Sequence, residues 1–358
     1  MIGTAQKCKV LFLAEELRVG GAETYFYRLE EGVDREAIDF DTMAVPSNAI
    51  DRLTHPEHFS AYTFSPVDRI RAIARLLQNK EYDVVHANSL QLCVCAFFAI
   101  RKTRSKAKLV YTRHNKTALE AFSERLYFKA INCMSNIVVA ICETEKSRLI
   151  NGGIDKAKIC LINNAVDVNY FPFKQRFDVG TLLKPRIGIL ARISPEKRHD
   201  LFLDIATAYH EIRPQAEFFI AGDGPDFEKI AAAIDARNLD AFIHMEGKVV
   251  ASDFLPTIDV LLLVSDREVM PMSILEGMAS GCGIVARDVG GIKDVVRADT
   301  GVLVDSSNPH AYAEAIDDAI NACEFHAKTS KARALVEESY SLGHALHEHE
   351  QLYLSLCY

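Results

Sequence analysis

The sequence lacks paired cysteines, since none of its nine cysteines forms a CxxC motif. Scattered cysteines in an odd number disfavour a disulfide framework and a zinc site, and they are typical of a reducing compartment. We therefore expect all nine to be thiols without a chemical role.

The sequence also lacks an excess of positive charge, because 41 Lys and Arg stand against 49 Asp and Glu. A formal net charge of -8 is unusual for a domain whose main partner is the phosphate backbone of a nucleic acid. We expect no nucleic-acid partner.

Long apolar runs are missing as well. The longest, around residues 92–100, is about half of the ~20 residues needed to cross a bilayer, so it predicts a buried helix. No signal peptide precedes the first apolar strand. These features predict a cytoplasmic protein, and they leave open peripheral contact with the inner face of a membrane.

Short apolar runs alternate with helical segments along the 358 residues, which exceed what one core usually supports. This alternation predicts parallel sheets covered by helices on both faces. We expect an N-terminal domain over residues 1–180, a C-terminal domain over residues 181–340, and a helix over residues 341–358 that packs back toward the N-terminal domain. The expected strands lie at 10–13, 40–44, 83–86, 109–112, 137–141 and 159–162, and then at 187–190, 217–221, 242–246, 260–264, 284–286 and 301–304.

Two glutamates follow the expected strand at residues 260–264. Glu268 lies in the loop, and Glu276 lies near the start of the next helix. Glu276 is three residues after Ser273, so it could complete a capping box, and Glu268 could be a solvated loop carboxylate. The unit of strand, acidic loop, helix, glycine and strand resembles the family 4 retaining glycosyltransferases. The signature of that family is two glutamates separated by seven residues, as here.

The resemblance implies a GT-B fold, in which two Rossmann-like, doubly wound parallel-sheet domains face each other across a cleft. It covers nearly the whole chain, because Asn164-Ala-Val-Asp167 with the following Phe171 is similar to the linker of the family. It implies that Glu276 holds ribose hydroxyls of a nucleotide and that Glu268 lies beside the donor sugar. Val269 and Met270 replace the usual Gly and Phe, which leaves the identity of the sugar open.

Two cations, Arg192 and Lys197, follow the first strand of the C-terminal domain. Ser194 and Pro195 could be the cap and first residue of a helix, which would make the cations part of a solvated helix start. The helix macrodipole disfavours cations at that place. The cluster also resembles the Arg and Lys motif of the family, which implies that both side chains neutralise the departing nucleoside diphosphate.

Glycines allow a ligand to approach the backbone after other strands. Gly20 and Gly21 follow the first strand without the GxGxxG spacing of a dinucleotide site, although any tight turn could have this sequence. The resemblance implies that they contact the donor phosphates. It also places Gly222, in a Gly-Asp-Gly-Pro turn, and Val249, in a Gly-Lys-Val loop, in the donor site. The same site is expected to include the residues at the start of the helix after Glu268, namely Met270, Pro271, Met272 and Ser273.

The acceptor side is expected in the N-terminal domain. His114 follows the strand at residues 109–112, where relatives often have a histidine near the transferred sugar, although a loop histidine alone is more often structural or solvated. Asn88 and Asn115 would shape the same site. The Asp39-Phe-Asp41 segment could mimic the metal-binding DxD motif of the other major glycosyltransferase fold, but it opens a strand away from the carboxyl edge. We regard it as a coincidence.

The expected enzyme is a retaining, metal-independent glycosyltransferase that needs no cofactor besides its nucleotide-diphosphate sugar co-substrate. Its expected catalytic residues are Arg192, Lys197, Glu268 and His114. By analogy, the acceptor is a saccharide or a lipid-linked sugar in polysaccharide, lipopolysaccharide or glycolipid synthesis. Two alternatives stay open. One is a non-hydrolysing nucleotide-sugar epimerase, and the other is a non-catalytic donor-binding subunit of a glycosyltransferase complex.

Overall fold

The computed structural model describes residues 7–17, 21–47, 50–114, 117–175, 184–321 and 324–357. In this part of the chain, strands alternate with helices almost throughout. The strands are β1 (Cys8–Glu16), β2 (Ile38–Val45), β3 (Phe59–Ala61), β4 (Val84–Ala87), β5 (Lys108–Thr112), β6 (Ile137–Ala140), β7 (Ile159–Leu161), β8 (Arg186–Leu190), β9 (Glu217–Ala221), β10 (Ile243–Gly247), β11 (Val260–Leu263), β12 (Gly283–Arg287) and β13 (Val302–Val304). The helices are α1 (Gly21–Gly32), α2 (Pro66–Asn79), α3 (Leu90–Thr103), α4 (Ala118–Phe122), α5 (Glu124–Met134), α6 (Glu143–Asn151), α7 (His199–Ile212), α8 (Phe227–Ala236), α9 (Ala251–Phe254), α10 (Met272–Ala279), α11 (Ile292–Val295), α12 (Pro309–Asn321), α13 (Phe325–Ser339) and α14 (Leu342–Cys357).

The chain divides into two compact units. The first unit contains residues 1–164 and 342–358, and the second unit contains residues 165–341. The first is built on a seven-stranded sheet in the order β3-β2-β1-β4-β5-β6-β7, and the second on a six-stranded sheet in the order β10-β9-β8-β11-β12-β13. Neighbouring strands in both sheets run parallel. The expected fold class of two Rossmann-like parallel-sheet domains is confirmed.

Burial explains why the central strands are continuous apolar runs. In β1, Val10 and Phe12 are fully buried, as are Leu11 and Leu13 on the opposite face. Helix starts are specified locally. The Ser89 hydroxyl accepts a hydrogen bond from the Leu92 amide at 3.2 Å, which caps α3 immediately after the β4 loop.

In each sheet the strand order reverses once, between β1 and β4 in the first unit and between β8 and β11 in the second. Helices on the two sides of such a reversal lie on opposite faces of the sheet, so the loops diverge and leave a crevice at the carboxyl ends of the strands. These two places are where a ligand site is expected.

The last helix, α14, belongs to the first unit. The hydroxyl of Tyr353 lies 2.7 Å from Nδ1 of His86 in β4, and both side chains are fully buried. Cys357, at the end of α14, forms a disulfide with Cys8 of β1. The expectation that all nine cysteines are thiols is therefore wrong. Packing of α14 on the sheet brings together two residues separated by 349 positions.

The boundary between the units lies earlier than the expected residue 180, because the segment after residue 164 packs on the second unit. The amide of Val166 donates to the Tyr340 carbonyl at 2.9 Å. The Arg333 guanidinium donates to the Phe171 carbonyl at 2.8 Å. These bonds attach the segment from 165 to Phe171 to helix α13 and to Tyr340, the residue that follows it.

The apolar run at residues 92–100 lies inside α3. None of the helices in the described ranges combines the length and apolar character required to cross a membrane.

Candidate functional site

The loops after β8 and β11 lie side by side, because these strands are neighbours at the reversal of strand order in the second unit. A backbone hydrogen bond joins the two loops, from the amide of Asp266 to the carbonyl of Glu196 at 2.9 Å. The expected site residues Lys197 and Glu268 lie on these two loops. The topology thus places them at the crevice of the sheet.

Lys197 and Glu268 form an ion pair, with Nζ of Lys197 2.5 Å from Oε1 of Glu268. Their side chains are 21% and 9% exposed, so the pair is sheltered but reachable from solvent. The contact fixes both side chains relative to each other. An ammonium group and a carboxylate are therefore presented together at the carboxyl edge of the sheet.

Arg192 lies in the same loop as Lys197, and its side chain is exposed. Among the described residues, none forms an ion pair with its guanidinium. Its backbone is held in place, because the amide of Ala191 donates to Ala221 at 3.1 Å and the amide of Ile193 donates to Asp223 at 2.9 Å. A fixed backbone therefore presents a cation whose charge attracts anions.

The expected helix start at Ser194 has a different form. Pro195–Lys197 forms a single 3-10 turn, and α7 begins only at His199. The Ser194 hydroxyl donates to Oε1 of Glu196 at 2.7 Å and caps no amide. Lys197 therefore lies in a loop ahead of the helix, outside the first turn in which the macrodipole would disfavour a cation.

Helix α10 follows the Glu268 loop. It begins at Met272, with Pro271 immediately before it, and no side chain caps its first turn. Ser273 already lies inside this first turn, so the capping box between Ser273 and Glu276 is wrong. Ser273 and Glu276 are three residues apart on the helix and share one half-buried face. The first turn of α10 thus has no side-chain cap, and Glu276 lies one turn further along the helix.

The side chain of Met270, between Glu268 and α10, is buried. It is only 5% exposed and precedes the buried Ile274 and Leu275 of α10. Its side chain therefore packs in the core.

Two glycines in the loop after β12 support Glu268, and neither was among the predicted site residues. The amide of Gly291 donates to the carbonyl of Val269 at 2.9 Å. Gly290 has φ +58, and a Cβ at this position would lie 1.8 Å from the Glu268 carbonyl oxygen. Only glycine permits this approach of two backbones. The Gly-Gly pair in the loop that follows an expected strand was the available signal.

Gly222 and Gly247 form the neighbouring edge of the site. The amide of Gly222 donates to the Gly247 carbonyl at 2.7 Å, which joins the ends of β9 and β10. Val249 lies two residues further along, half-buried in the loop before α9. The structure thus brings Gly222 and Val249 to the same carboxyl edge as Arg192.

A second group of polar residues lies at the carboxyl edge of the first unit. Nε2 of His114, after β5, lies 2.5 Å from Oδ1 of Asn88, after the neighbouring strand β4. Removal from water, and then the nearby His349, lowers the pKa of His114 to about 4. The ring is therefore neutral at pH 7, with Nε2 donating to Asn88.

A buried charge cluster beside His114 was also missed. The Arg113 guanidinium contacts Glu120 at 2.8 Å and Glu145 at 2.6 Å, and all three side chains are at most 4% exposed. Arg148 contacts Glu120 from the more exposed side. This cluster anchors the β5 loop directly before His114. Burial of an ion-pair network cannot be deduced from separate charged residues in sequence.

Comparisons with known proteins bear on both units. The family model for Glycosyltransferase Family 4 matches residues 19–170, and the model for Glycosyl transferases group 1 matches residues 174–335. The chain is a family 4 glycosyltransferase. The two models together leave few residues of this glycosyltransferase unmatched.

Curated relatives of the glycosyltransferase are distant in sequence. N-acetyl-alpha-D-glucosaminyl L-malate synthase of Bacillus anthracis is 24% identical over 82% of this chain and 81% of the relative. Poly(ribitol-phosphate) alpha-N-acetylglucosaminyltransferase of Staphylococcus aureus is 26% identical over 67% of this chain, which spans only 49% of that relative. The solved structure of Anabaena HepE in complex with UDP and glucose has a TM-score of 0.81 at 20% identity, over 97% of this chain and 100% of HepE. This likeness shows a shared fold.

Some expected site residues lie outside the described part of the glycosyltransferase. Gly20 and Asn115 are among them, so the structure gives no position for either. Gly21 belongs to the described part of the chain and is the first residue of α1.

The Asp39-Phe-Asp41 segment lies in the first half of β2, away from the carboxyl edge. Nζ of Lys80 lies 2.7 Å from a carboxylate oxygen of each aspartate. The hydroxyl of Tyr82 donates to Asp41 at 2.6 Å. These contacts give both carboxylates a structural role within the first unit.

Proposed function

We propose that this glycosyltransferase moves a sugar from a nucleoside diphosphate sugar to a hydroxyl acceptor with retention of anomeric configuration. The observation that carries the proposal is the Lys197–Glu268 ion pair at the reversal of strand order, on the loop that also holds Arg192. Two cations at this crevice suit a diphosphate. A carboxylate beside them suits a sugar with several hydroxyl groups.

The donor would lie along the carboxyl edge of the second unit. Uncapped amides at the start of α10 suit diphosphate oxygens, since a helix N-terminus favours anions. Glu276 on the same helix would accept hydrogen bonds from ribose hydroxyls. Gly222 and Val249 would border the nucleoside. A uridine nucleotide is the first donor to test, because similar HepE structures contain UDP or UDP-glucose.

The reaction breaks the bond between the anomeric carbon and a diphosphate oxygen, and the electron pair leaves with the diphosphate. The acceptor oxygen forms its bond to the same face of the sugar, and its proton passes to the departing phosphate. Negative charge thus builds up on the diphosphate while positive charge builds up on the sugar. Arg192, Lys197 and the amides of α10 would stabilise the negative charge on the diphosphate. Glu268 would lie near the positive charge on the sugar.

In this mechanism the protein carries the positive charge opposite the diphosphate, so we propose that no metal ion is required. Full turnover in the presence of EDTA would agree with this. Loss of turnover that Mg²⁺ or Mn²⁺ restores would contradict it.

The acceptor would bind near Asn88 and His114 of the first unit. A neutral His114 can exchange hydrogen bonds with acceptor hydroxyls without adding a positive charge to the acceptor site. We propose a saccharide or lipid-linked acceptor in polysaccharide, lipopolysaccharide or glycolipid synthesis.

The proposal is tested with Arg192→Ala and Lys197→Ala at saturating donor. Removing one preorganised charge-stabilising group typically lowers kcat by about 10²- to 10³-fold. The control is Arg237→Ala, whose exposed side chain pairs with Asp204 on the surface of the second unit. Near-native kcat in either site variant would contradict the assigned roles. Proton NMR of the first product should show the anomeric configuration of the donor, and inversion would refute the proposed stereochemistry.

A further inference from the structure

A groove of about 540 Å³ runs along the first unit between α2 and α3. Its walls are apolar and include Ile70 of α2, Val94 and Phe98 of α3, and Leu119 of α4. Helices α2 and α3 both follow strands of the same parallel sheet, so their first turns lie at its carboxyl edge. The groove therefore starts at the edge that carries Asn88 and His114.

One end of the groove is polar. The hydroxyl of Ser89, the residue after Asn88, donates to Oε1 of Glu15 at 2.5 Å. Nη1 of Arg69 donates to the Gln91 side chain at 2.9 Å, and Nη2 lies 3.7 Å from Glu15. Arg69 is only 1% exposed, whereas Glu15 is 43% exposed. The end of the groove nearest the Asn88–His114 pair is therefore polar, and its side walls are apolar.

Large apolar side chains are exposed along the groove and beside it. Phe98 in its wall is 53% exposed, Val67 on the first turn of α2 is 56% exposed, and Phe64 just before α2 is 57% exposed. Single exposed apolar residues are ordinary, but a cluster of this kind marks an interaction surface. This cluster belongs to the same unit as the proposed acceptor site.

Charge distinguishes this part of the molecule from the rest. Residues 66–134 contain thirteen Lys and Arg and five Asp and Glu, although the whole chain has a net charge of -8. No acidic residue occurs from Val84 to Leu119. Arg101, Lys102 and Arg104 are exposed at the end of α3, beyond Phe98. Positive charge at this end complements an anionic lipid surface.

We propose that the groove between α2 and α3 binds the apolar chain of the acceptor, whose polar head lies at Glu15, Ser89 and the Asn88–His114 pair. The inference rests on the proposed function and selects the lipid-bearing class of acceptor within it. The chain enters at Phe98, where the exposed cations of α3 face an anionic lipid surface. The span from Leu90 to Phe98 is about 12 Å at ~1.5 Å per helical residue, so the groove holds a chain of limited length.

The test measures binding of methyl, butyl, octyl and decyl β-D-glucoside by calorimetry, below the concentrations at which they form micelles. Each buried methylene contributes about 0.8 kcal/mol, or roughly a fourfold change in affinity. Octyl glucoside should therefore bind on the order of 100-fold more tightly than butyl glucoside. Equal affinities for the two would overturn the proposal.

Ile70→Glu places a charge in the groove and should weaken octyl glucoside binding at least tenfold. The matched control is Ile212→Glu, at a residue of α7 that is 47% exposed in the second unit, and it should bind like wild type. Phe98→Ser is a second groove variant in case Ile70→Glu unfolds, which circular dichroism detects. Wild-type affinity in a folded groove variant would overturn the proposal.

A second arm uses vesicles of phosphatidylcholine with phosphatidylglycerol and measures sedimentation of the protein with them. If Ile70→Glu loses vesicle binding but keeps its affinity for octyl glucoside, the face is a bilayer docking surface and the proposal is wrong. A UDP-induced thermal shift is measured in parallel on wild type. Its absence, with the chain-length dependence intact, would count against the donor site and leave the groove assignment standing.

Discussion

Gly222→Ala should disturb the proposed donor site through the backbone alone. Gly222 has φ +143, and a Cβ there would lie 1.9 Å from the carbonyl oxygen of Ala191. Since real Cβ contacts stay beyond 3.0 Å, the two backbones must separate by at least about 1.1 Å. Ala191 directly precedes Arg192, so the separation moves the loop that carries this cation.

The expected cost combines the strained backbone with the contact to Ala191, and we place it at ~3 kcal/mol or more. For a unit of this size, 1 kcal/mol corresponds to about 2–4 °C, so the unfolding midpoint should fall by at least ~6 °C. A loop displaced by about 1 Å should also weaken UDP binding at least tenfold.

Gly153→Ala is the matched control. Gly153 has φ +87, but nothing lies within 4 Å of a Cβ at this position, and it belongs to the first unit. This variant should lower the midpoint by only about 2–4 °C, for a backbone cost of ~1 kcal/mol, and should bind UDP like wild type. Thermal unfolding and calorimetry with UDP measure both quantities. If Gly222→Ala behaves like Gly153→Ala in both assays, the close approach of the loops at Gly222 does not support the site.

Two further predictions concern the first unit. Arg113→Met should lower its free energy of unfolding by about 3–5 kcal/mol in urea, because Glu120 and Glu145 lose their buried cation and keep only the partly exposed Arg148. An unchanged value would refute the role of this cluster. Stability should also fall as pH drops from about 7 toward 4. Burial is the main reason why the pKa of both His114 and His349 is lowered to about 4, so the unfolded chain, with histidine pKa near 6.5, binds protons first. The stabilisation is thus complete above about pH 6.5 and is lost on acidification toward about 4, and unfolding titrations that show a gain in stability over this interval would contradict it.

The strands were readable from the sequence where both faces are buried. Runs such as Val260–Leu263 are apolar throughout because helices cover the sheet on both sides. β3 (Phe59–Ala61) was missed, because it is a three-residue edge strand whose side chains are all partly exposed. Such a strand has neither an apolar run nor an alternating pattern to reveal it.

The sequence predicted which loops form the site, but it did not predict the contacts between their side chains. The positions of Arg192, Lys197, Glu268 and Glu276 after strands predicted a shared edge, since carboxyl ends of parallel strands lie together. The Lys197–Glu268 contact depends on β8 and β11 being neighbours, which is set by the strand order. Local spacing also left open an alternative that the structure excludes, because Ser273 and Glu276 have capping-box spacing although Ser273 lies inside α10.

Contacts between residues that are far apart in the sequence could not be predicted, for a related reason. Cys8 and Cys357 meet only because α14 returns to β1, and nothing in the spacing of nine cysteines selects this pair. The buried Arg113 cluster likewise joins residues of α4, α6 and the loop after β5 through packing.

The central claim is that the second unit binds a nucleoside diphosphate sugar through Glu276 and the cations of the β8 loop. A thermal-shift panel of nucleoside diphosphates and nucleotide sugars on wild type and Glu276→Ala tests it most directly. A ligand that binds only the folded state adds about 2.7 kcal/mol of stability at a concentration 100-fold above its Kd. We predict a shift selective for one nucleobase that Glu276→Ala abolishes. No shift with any donor, or an equal shift in the variant, would contradict the account.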